Sequence, residues 1–305
     1  MSEFTYWVNG AFVPESEAVV PINSRGYRLG DGVFDTERTF NGKLFRMEAH
    51  LERLERSLRF VRIDPGMPLE ELGRIAEETL ERNRPLLEEY GDFWVTQTIS
   101  RVNGEEGFVS IIVEPLPFAR YAASYDNGVP LVVPTARSSA QIGMDPKLKA
   151  TSRLNMVLAD LEGKAIDPDS LSVLLDEHGN LAEVLYGNLF IVRGGKIRTP
   201  GPRAILEGVS RMTTLELIAK EGLDCREDDI QPYDLYTADE AFLTTTSYCI
   251  LPVASLNGQK VGAVTPGPVT RQLTQAWCDL VGLDIPAQMK QFGAKAPATP
   301  MRIAT

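Results

Sequence analysis

Two short apolar runs, Tyr6 to Val8 and Ala11 to Val13, flank Asn9-Gly10, a pattern that predicts a β-hairpin with that pair as its turn. Gly32 to Phe40 reads as a second strand that runs into a turn at Asn41-Gly42 and leaves through Lys43 to Arg46. From Glu48 the pattern becomes helical. Leu51, Leu54 and Leu58 recur at three and four residues, the buried stripe of a helix, and Leu69, Leu72, Ile75, Ala76 and Leu80 mark a second helix from about Pro68 to Arg84. Phe93 to Ser100 and Phe108 to Glu114 read as further strands.

Pro115-Leu116-Pro117 interrupts this pattern and a polar stretch from Arg120 to Asn127 follows. The division expected is a small N-terminal α+β domain over residues 1–120, a linker over 121–128 and a larger domain over 129–292. The larger domain is read as strands at Val129 to Val133, Leu171 to Leu175, Ala182 to Val192 and Glu240 to Thr245. Its helices are read at Ser152 to Glu162, Ser210 to Lys220 with Gly222 as the stop, and Pro268 to Val281. The tail over 293–305, rich in Ala, Pro and Thr, is expected to be loose.

Composition narrows the class. A chain of 305 residues, 43% hydrophobic, can build two cores of ordinary size. Its formal charge of -11, with no long basic block, disfavours nucleic acid or an anionic membrane as partner. No stretch approaches the length of a membrane span, and Met-Ser-Glu-Phe-Thr-Tyr is not a secretory leader, so a cytoplasmic protein is expected. Cys225, Cys249 and Cys278 are too dispersed for a disulfide framework or a metal pair. His50 and His178 are too few for a histidine-rich metal site.

Several residues could carry chemistry, and each has an ordinary alternative. Lys149, in Lys-Ala-Thr-Ser-Arg-Leu-Asn, is either a solvated charge or an amine set for covalent work. Glu183 sits in the apolar run Leu181 to Val192, so its carboxylate must reach solvent or a partner. Val209 and Ser210 open a helical pattern, where free amides suit a dianion and where a serine is also a common cap. Thr246 lies in a row of four hydroxyls, Thr244 to Ser247, at a strand end. Arg53 lies well away from the leucine stripe of its helix; solvation is its default, and phosphate binding its alternative if that face is enclosed.

Colinear segments join these residues. They are Arg25-Gly26-Tyr27-Arg28-Leu29-Gly30-Asp31-Gly32-Val33-Phe34-Asp35, Asn41-Gly42-Lys43-Leu44-Phe45 and His50-Leu51-Glu52-Arg53-Leu54. After them come Lys149 ahead of Val157-Leu158-Ala159, Glu183 with Gly187-Asn188-Leu189-Phe190, Gly208-Val209-Ser210-Arg211, Asp234 to Glu240, and Pro266 to Thr270. In order and spacing they resemble the fold type IV pyridoxal phosphate enzymes, the family of branched-chain and D-amino acid aminotransferases. The resemblance implies an α+β two-domain subunit, with a small α+β domain and a larger mixed-sheet, barrel-like domain with helices. It also implies pyridoxal 5'-phosphate as cofactor, bound in the interdomain cleft of a homodimer. Lys149 is implied as the residue bonded to the cofactor aldehyde and Glu183 as the partner of the ring nitrogen. Arg53, Val209, Ser210 and Thr246 are implied as phosphate contacts.

The implied reaction is ping-pong transfer of an amino group from a small amine donor to a 2-keto acid acceptor. Thr98-Ile99-Ser100-Arg101 and Phe34 depart from the usual D-amino acid pattern, where Thr-Arg-Gly and a tyrosine stand. Ala150 to Leu154 depart from the branched-chain pattern after the lysine. D-amino acids or (R)-amines are expected as donors. Arg28, Arg101 and Arg153 are candidate carboxylate cations with surface charge as the alternative, and Trp7, Phe34 and Trp94 are candidate pocket aromatics with core packing as the alternative. Three other readings stay open: an L-branched-chain aminotransferase, a pyruvate-eliminating lyase similar to aminodeoxychorismate lyase, and a metabolite-binding protein without catalysis.

Overall fold

The strand segments of the first part form a six-stranded antiparallel sheet in the computed structural model, which describes residues 3–138 and 143–295. The first of two units comprises the chain up to Leu116 together with Leu148–Arg153. In chain order it contains β1 (Thr5–Val8), β2 (Ala11–Pro14), α1 (Arg25–Leu29), β3 (Gly32–Phe40), β4 (Lys43–Leu44) and α2 (Met47–Val61). Then follow α3 (Leu69–Asn83), α4 (Leu87–Tyr90), β5 (Phe93–Arg101) and β6 (Gly107–Pro115). The strand order is β2-β1-β6-β5-β3-β4.

The period of two decides what each face of this sheet does. Val33, Val95, Ile99, Val109, Ile111 and Val113 are buried in one core with Leu51, Leu54, Leu58, Leu72, Ile75, Ala76 and Leu80 of α2 and α3. Each such Leu or Ile contributes about 1.5–3 kcal/mol on burial. Trp7 belongs to this core, so packing is its role. Asp35 and Glu37 share the inward parity of Val33 and are fully buried.

The second unit runs from Pro117 to Lys147 and from Leu154 onward. It begins with α5 (Phe118–Tyr121), α6 (Ser124–Asn127), β7 (Val129–Val132), α7 (Leu154–Ile166), β8 (Leu171–Leu175), β9 (Leu181–Val184), β10 (Gly187–Arg193) and β11 (Lys196–Pro200). It ends with α8 (Val209–Lys220), β12 (Cys225–Asp228), α9 (Pro232–Tyr236), β13 (Glu240–Thr245), β14 (Cys249–Leu256), β15 (Gln259–Lys260), α10 (Pro268–Val281) and α11 (Ile285–Lys295). Pairing runs β10-β13-β14-β7-β8-β9 and returns from β9 to β10, closing a barrel, with β11 and β12 extending the sheet beyond β10.

The structure differs from the sequence reading in several places. The single strand expected over Ala182 to Val192 is a hairpin, with Gly187 opposite Val184 and Asn188 opposite Glu183. Gly187 permits it, because a Cβ there would stand 2.6 Å from the Thr244 carbonyl oxygen. The expected linker over 121–128 holds helical turns ending at Asn127, and Leu148–Arg153, carrying Lys149, packs with the first unit. The helix expected from Ser152 begins at Leu154. Of the tail expected to be loose, Gly293 to Lys295 complete α11, and 296–305 lie outside the described residues.

A buried carboxylate pins the turn between β3 and β4. Asp92, 1% exposed, accepts hydrogen bonds from the Thr39 hydroxyl at 2.6 Å and from the amides of Gly42 at 2.9 Å and Asn41 at 3.1 Å. Asp92→Ala leaves these donors buried without their acceptor. Urea unfolding at neutral pH should show a loss of about 2–4 kcal/mol.

Candidate active site

Lys149 owes its position to backbone pairing. Residues 149–151 run antiparallel to the start of β3: the Phe34 amide donates to the Lys149 carbonyl at 3.0 Å, the Thr151 amide donates to the Gly32 carbonyl at 3.0 Å, and Ala150 bridges Val33. The Thr151 hydroxyl donates to the carbonyls of Gly30 at 3.0 Å and Gly32 at 3.2 Å. From α2, the Ser57 hydroxyl accepts the Lys149 amide at 3.5 Å. So held, Lys149 sets its Nζ 4.6 Å from the Phe34 ring centroid, and the Arg153 guanidinium lies 5.7 Å from the same ring. Cations near an aromatic face are attracted by its quadrupole.

Arg53 is enclosed rather than solvated. His50, Arg53 and Ser57 recur at three and four residues and form a second buried stripe of α2, polar where the leucine stripe is apolar. Arg53 grips Asp35 through both carboxylate oxygens, Nε to Oδ2 at 2.8 Å and Nη2 to Oδ1 at 2.6 Å, and His50 Nδ1 lies 2.7 Å from Oδ1. Burial by itself would raise the Asp35 carboxyl, yet the Arg53 charge and the His50 bond hold it well below the usual carboxylate range. Burial pushes His50 down, so the neutral ring donates its Nδ1 proton to the ionised Asp35.

The remaining aromatic and cationic candidates separate. Trp94 lies opposite Arg38 on β5, four residues from Thr98, the partner of Phe34. That is about 13 Å along the strand, so the two aromatics do not meet. Arg101 engages four of its five N–H groups, with the Asp31 carboxylate at 3.1 Å and the carbonyls of Arg62, Gly104 and Val61. It anchors loops beside an open depression of about 850 Å³ lined by Arg25, Leu29, Asp31 and Val102 to Gly104. Arg28 is exposed on α1.

The second unit presents its own group. Glu183, 4% exposed on β9, accepts the Leu206 amide through Oε2 at 3.0 Å, and Asn188, its partner across the hairpin, donates to the Leu206 carbonyl at 3.0 Å. The loop before α8 is thereby tied to Glu183. At its end a Cβ on Gly208 would meet Asn188 Oδ1 at 2.3 Å, a close approach that glycine alone permits. The first amide bonded within α8 is that of Met212, to the Gly208 carbonyl, and Gly208 at the N-cap makes no side-chain cap. In α10, by contrast, Glu240 takes the amides of Val269 at 3.0 Å and Thr270 at 2.8 Å. Among the described residues Val209 and Ser210 thus open a helix whose N-cap supplies no carboxylate. Thr246 is half-buried in the turn from β13 to β14, after Thr245, whose hydroxyl donates to the Tyr186 carbonyl.

Asp35, Thr151 and Asn188 stand in segments quoted from the sequence without a role of their own, and Ser57 is not singled out at all. The parity of Asp35 with the core residue Val33 was the available signal; the others depend on contacts between distant segments. Among the described residues no group of three or more His, Cys, Asp or Glu could hold a metal ion, and no helix is long and apolar enough to cross a membrane.

A closed barrel in one unit and an antiparallel sheet in the other match the architecture of the fold type IV aminotransferases. The model of one family, amino-transferase class IV, matches residues 32–256, and the chain belongs to that family. It is similar to a D-alanine aminotransferase of Staphylococcus aureus, 30% identical over 89% of this chain and 95% of the relative. Among solved structures it resembles a branched-chain aminotransferase of Thermoproteus uzoniensis with norvaline, with TM-score 0.82, 28% identity and coverage of 92% and 96%. It also resembles a T.th. branched-chain amino acid aminotransferase with pyridoxamine 5'-phosphate, with TM-score 0.83, 25% identity and coverage of 92% and 95%. The protein is an enzyme of the transaminase class.

Asp35→Asn should cost about 3–5 kcal/mol of unfolding free energy near neutral pH, because Arg53 keeps its buried charge and loses its counterion. The Asp35 contribution is present above the unfolded pKa of about 4 and is lost as pH falls toward the depressed folded value. Denaturant curves of variant and wild type should therefore converge in acid.

Proposed function

We propose that the enzyme uses pyridoxal 5'-phosphate to move an amino group between a D-amino acid or (R)-amine and a 2-keto acid in two half-reactions. The observation that carries this is the fixed Lys149, whose amine lies over Phe34 while its backbone is pinned to β3. The donor set suits the cofactor: an amine, a buried carboxylate oriented by a backbone amide, and a helix end without an acidic cap. When bound, the cofactor supplies an aldehyde for the amino group and a ring that stabilises negative charge at the substrate Cα.

Lys149 would supply the amine for the aldehyde and, as a base, take the proton from the donor Cα. Glu183 would hold the ring nitrogen, and Val209, Ser210, Thr246 and Arg53 would hold the phosphate, so that binding energy remote from the reacting carbon orients it. Phe34 has the Lys149 amine 4.6 Å and the Arg153 guanidinium 5.7 Å from its ring centroid. With Arg101 committed elsewhere, Arg153 is the cation for a donor carboxylate.

A second copy of the chain is the proposed partner. α7 meets the sheet through Ala159 and Gly163 and exposes Leu154, Val157, Leu158 and Leu161, at the spacing of one helix face. Leu161→Asp should convert a dimer to monomer in sedimentation velocity.

A donor panel with both enantiomers of alanine, glutamate, leucine and 1-phenylethylamine, read as loss of the visible band of the lysine-bound cofactor, tests the substrate reading. D- or (R)-donors should react fastest; rapid reaction with L-leucine alone would reverse it. Glu183→Gln should still take up the cofactor while slowing the single-turnover half-reaction about 100-fold. An unchanged rate would assign the ring nitrogen to another acid.

A further inference from the structure

Glu37 lies two residues beyond Asp35 on the same inward face of β3, and both it and Gln97 of β5 are fully buried. Gln97 Nε2 donates to Glu37 Oε1 at 2.7 Å. Glu37 Oε2 and Gln97 Oε1 are also buried, and neither has a hydrogen-bond partner among the described residues. Two planar groups joined by one N–H bond, each with an oxygen left over, lack a single hydrogen. A proton on Oε2 turns one of the two acceptors into a donor and completes a reciprocal acid–amide pair. Exchanging the amide oxygen and nitrogen of Gln97 does not remove that requirement.

We propose that Glu37 and Gln97 share one proton as an acid–amide pair, and that this neutral pair is a positioning element for Arg53, whose ionisation weakens the hold of Arg53 on an anion. The surroundings of Glu37 support it. Asp35 on its own strand and Glu48 on α2 are like charges, Arg53 on α2 is the opposing one, and β5 offers the uncharged Gln97. His50 is engaged with Asp35, β4 brings exposed Lys43, and the buried polar groups of α3 are Thr79 and Asn83, which do not titrate. Burial, reinforced by the negative charge of Asp35 and Glu48, pushes the Glu37 carboxyl up to about 8. With Glu37 neutral, Asp35 and Arg53 balance. With Glu37 ionised, the buried cluster gains a net negative charge that opposes a phosphate at Arg53.

The effect on the anion rests on Arg53 as a phosphate contact, as proposed above, so the test separates the two. Full-length wild type and Glu37→Gln are compared, since two amides can also pair reciprocally. A folded-state value raised from 4.5 to about 8 means that the native protein holds a proton that the unfolded chain releases. Wild-type stability should therefore fall across that window relative to the variant, and difference infrared spectra should show a protonated-carboxyl band near neutral pH that the variant lacks. The dissociation constant for pyridoxal 5'-phosphate should rise about tenfold more in wild type than in Glu37→Gln between about pH 6.5 and about pH 9.5. Parallel stability profiles, or no such band in wild type, overturn the shared proton. Parallel affinity profiles overturn the link to Arg53. Failure of both proteins to take up the cofactor at any pH overturns that link through the cofactor reading, while stability and infrared data still decide the pair.

Discussion

Three residues laid antiparallel on the edge of β3 fix the chemistry of the first unit. The hydrogen bonds between Phe34 and Lys149 and between Thr151 and Gly32, with the Thr151 hydroxyl clasping the Gly30 and Gly32 carbonyls, give Lys149 a register that its own side chain could not impose. A lysine with four rotatable bonds loses up to about 2 kcal/mol of rotamer freedom when ordered, so the backbone beneath it must be settled first. The same pairing removes Leu148–Arg153 from the unit that precedes and follows them in sequence.

Around that register the two units handle charge differently. The first buries charge and balances it: Asp35 is gripped by Arg53 and His50, and Glu37 meets Gln97. Such clusters are costly to desolvate and still costlier to break, which makes them determinants of geometry more than of net stability. The second unit relies on backbone. The Leu206 amide orients Glu183, and the start of α8 offers amides where α10 has its amides taken by Glu240.

What the sequence disclosed followed from periodicity, and what it concealed followed from contacts across long separations. The leucine stripe of α2 was legible because a single buried face shows as a period near three and a half; its polar stripe was not, because Arg53 reads as solvated by default and His50 and Ser57 gain a role only when Asp35 and Lys149 are placed beside them. The turn inside Leu181 to Arg193 was invisible because barrel strands there are buried on both sides, leaving no alternation to break. Arg101 read as a spare cation because its acceptors, the Val61 and Arg62 carbonyls, lie about forty residues away in the chain. Lys149 and Glu183 were identified through the colinear segments around them, whereas the β3 pairing that fixes Lys149 emerged only with the fold.

The central claim is that Lys149 is the amine that bonds the cofactor. Borohydride reduction of the protein loaded with pyridoxal 5'-phosphate, followed by peptide mapping, tests it most directly. The account predicts one modified peptide carrying the reduced cofactor on Lys149. The adduct on Lys43, Lys147 or Lys164 instead would contradict it.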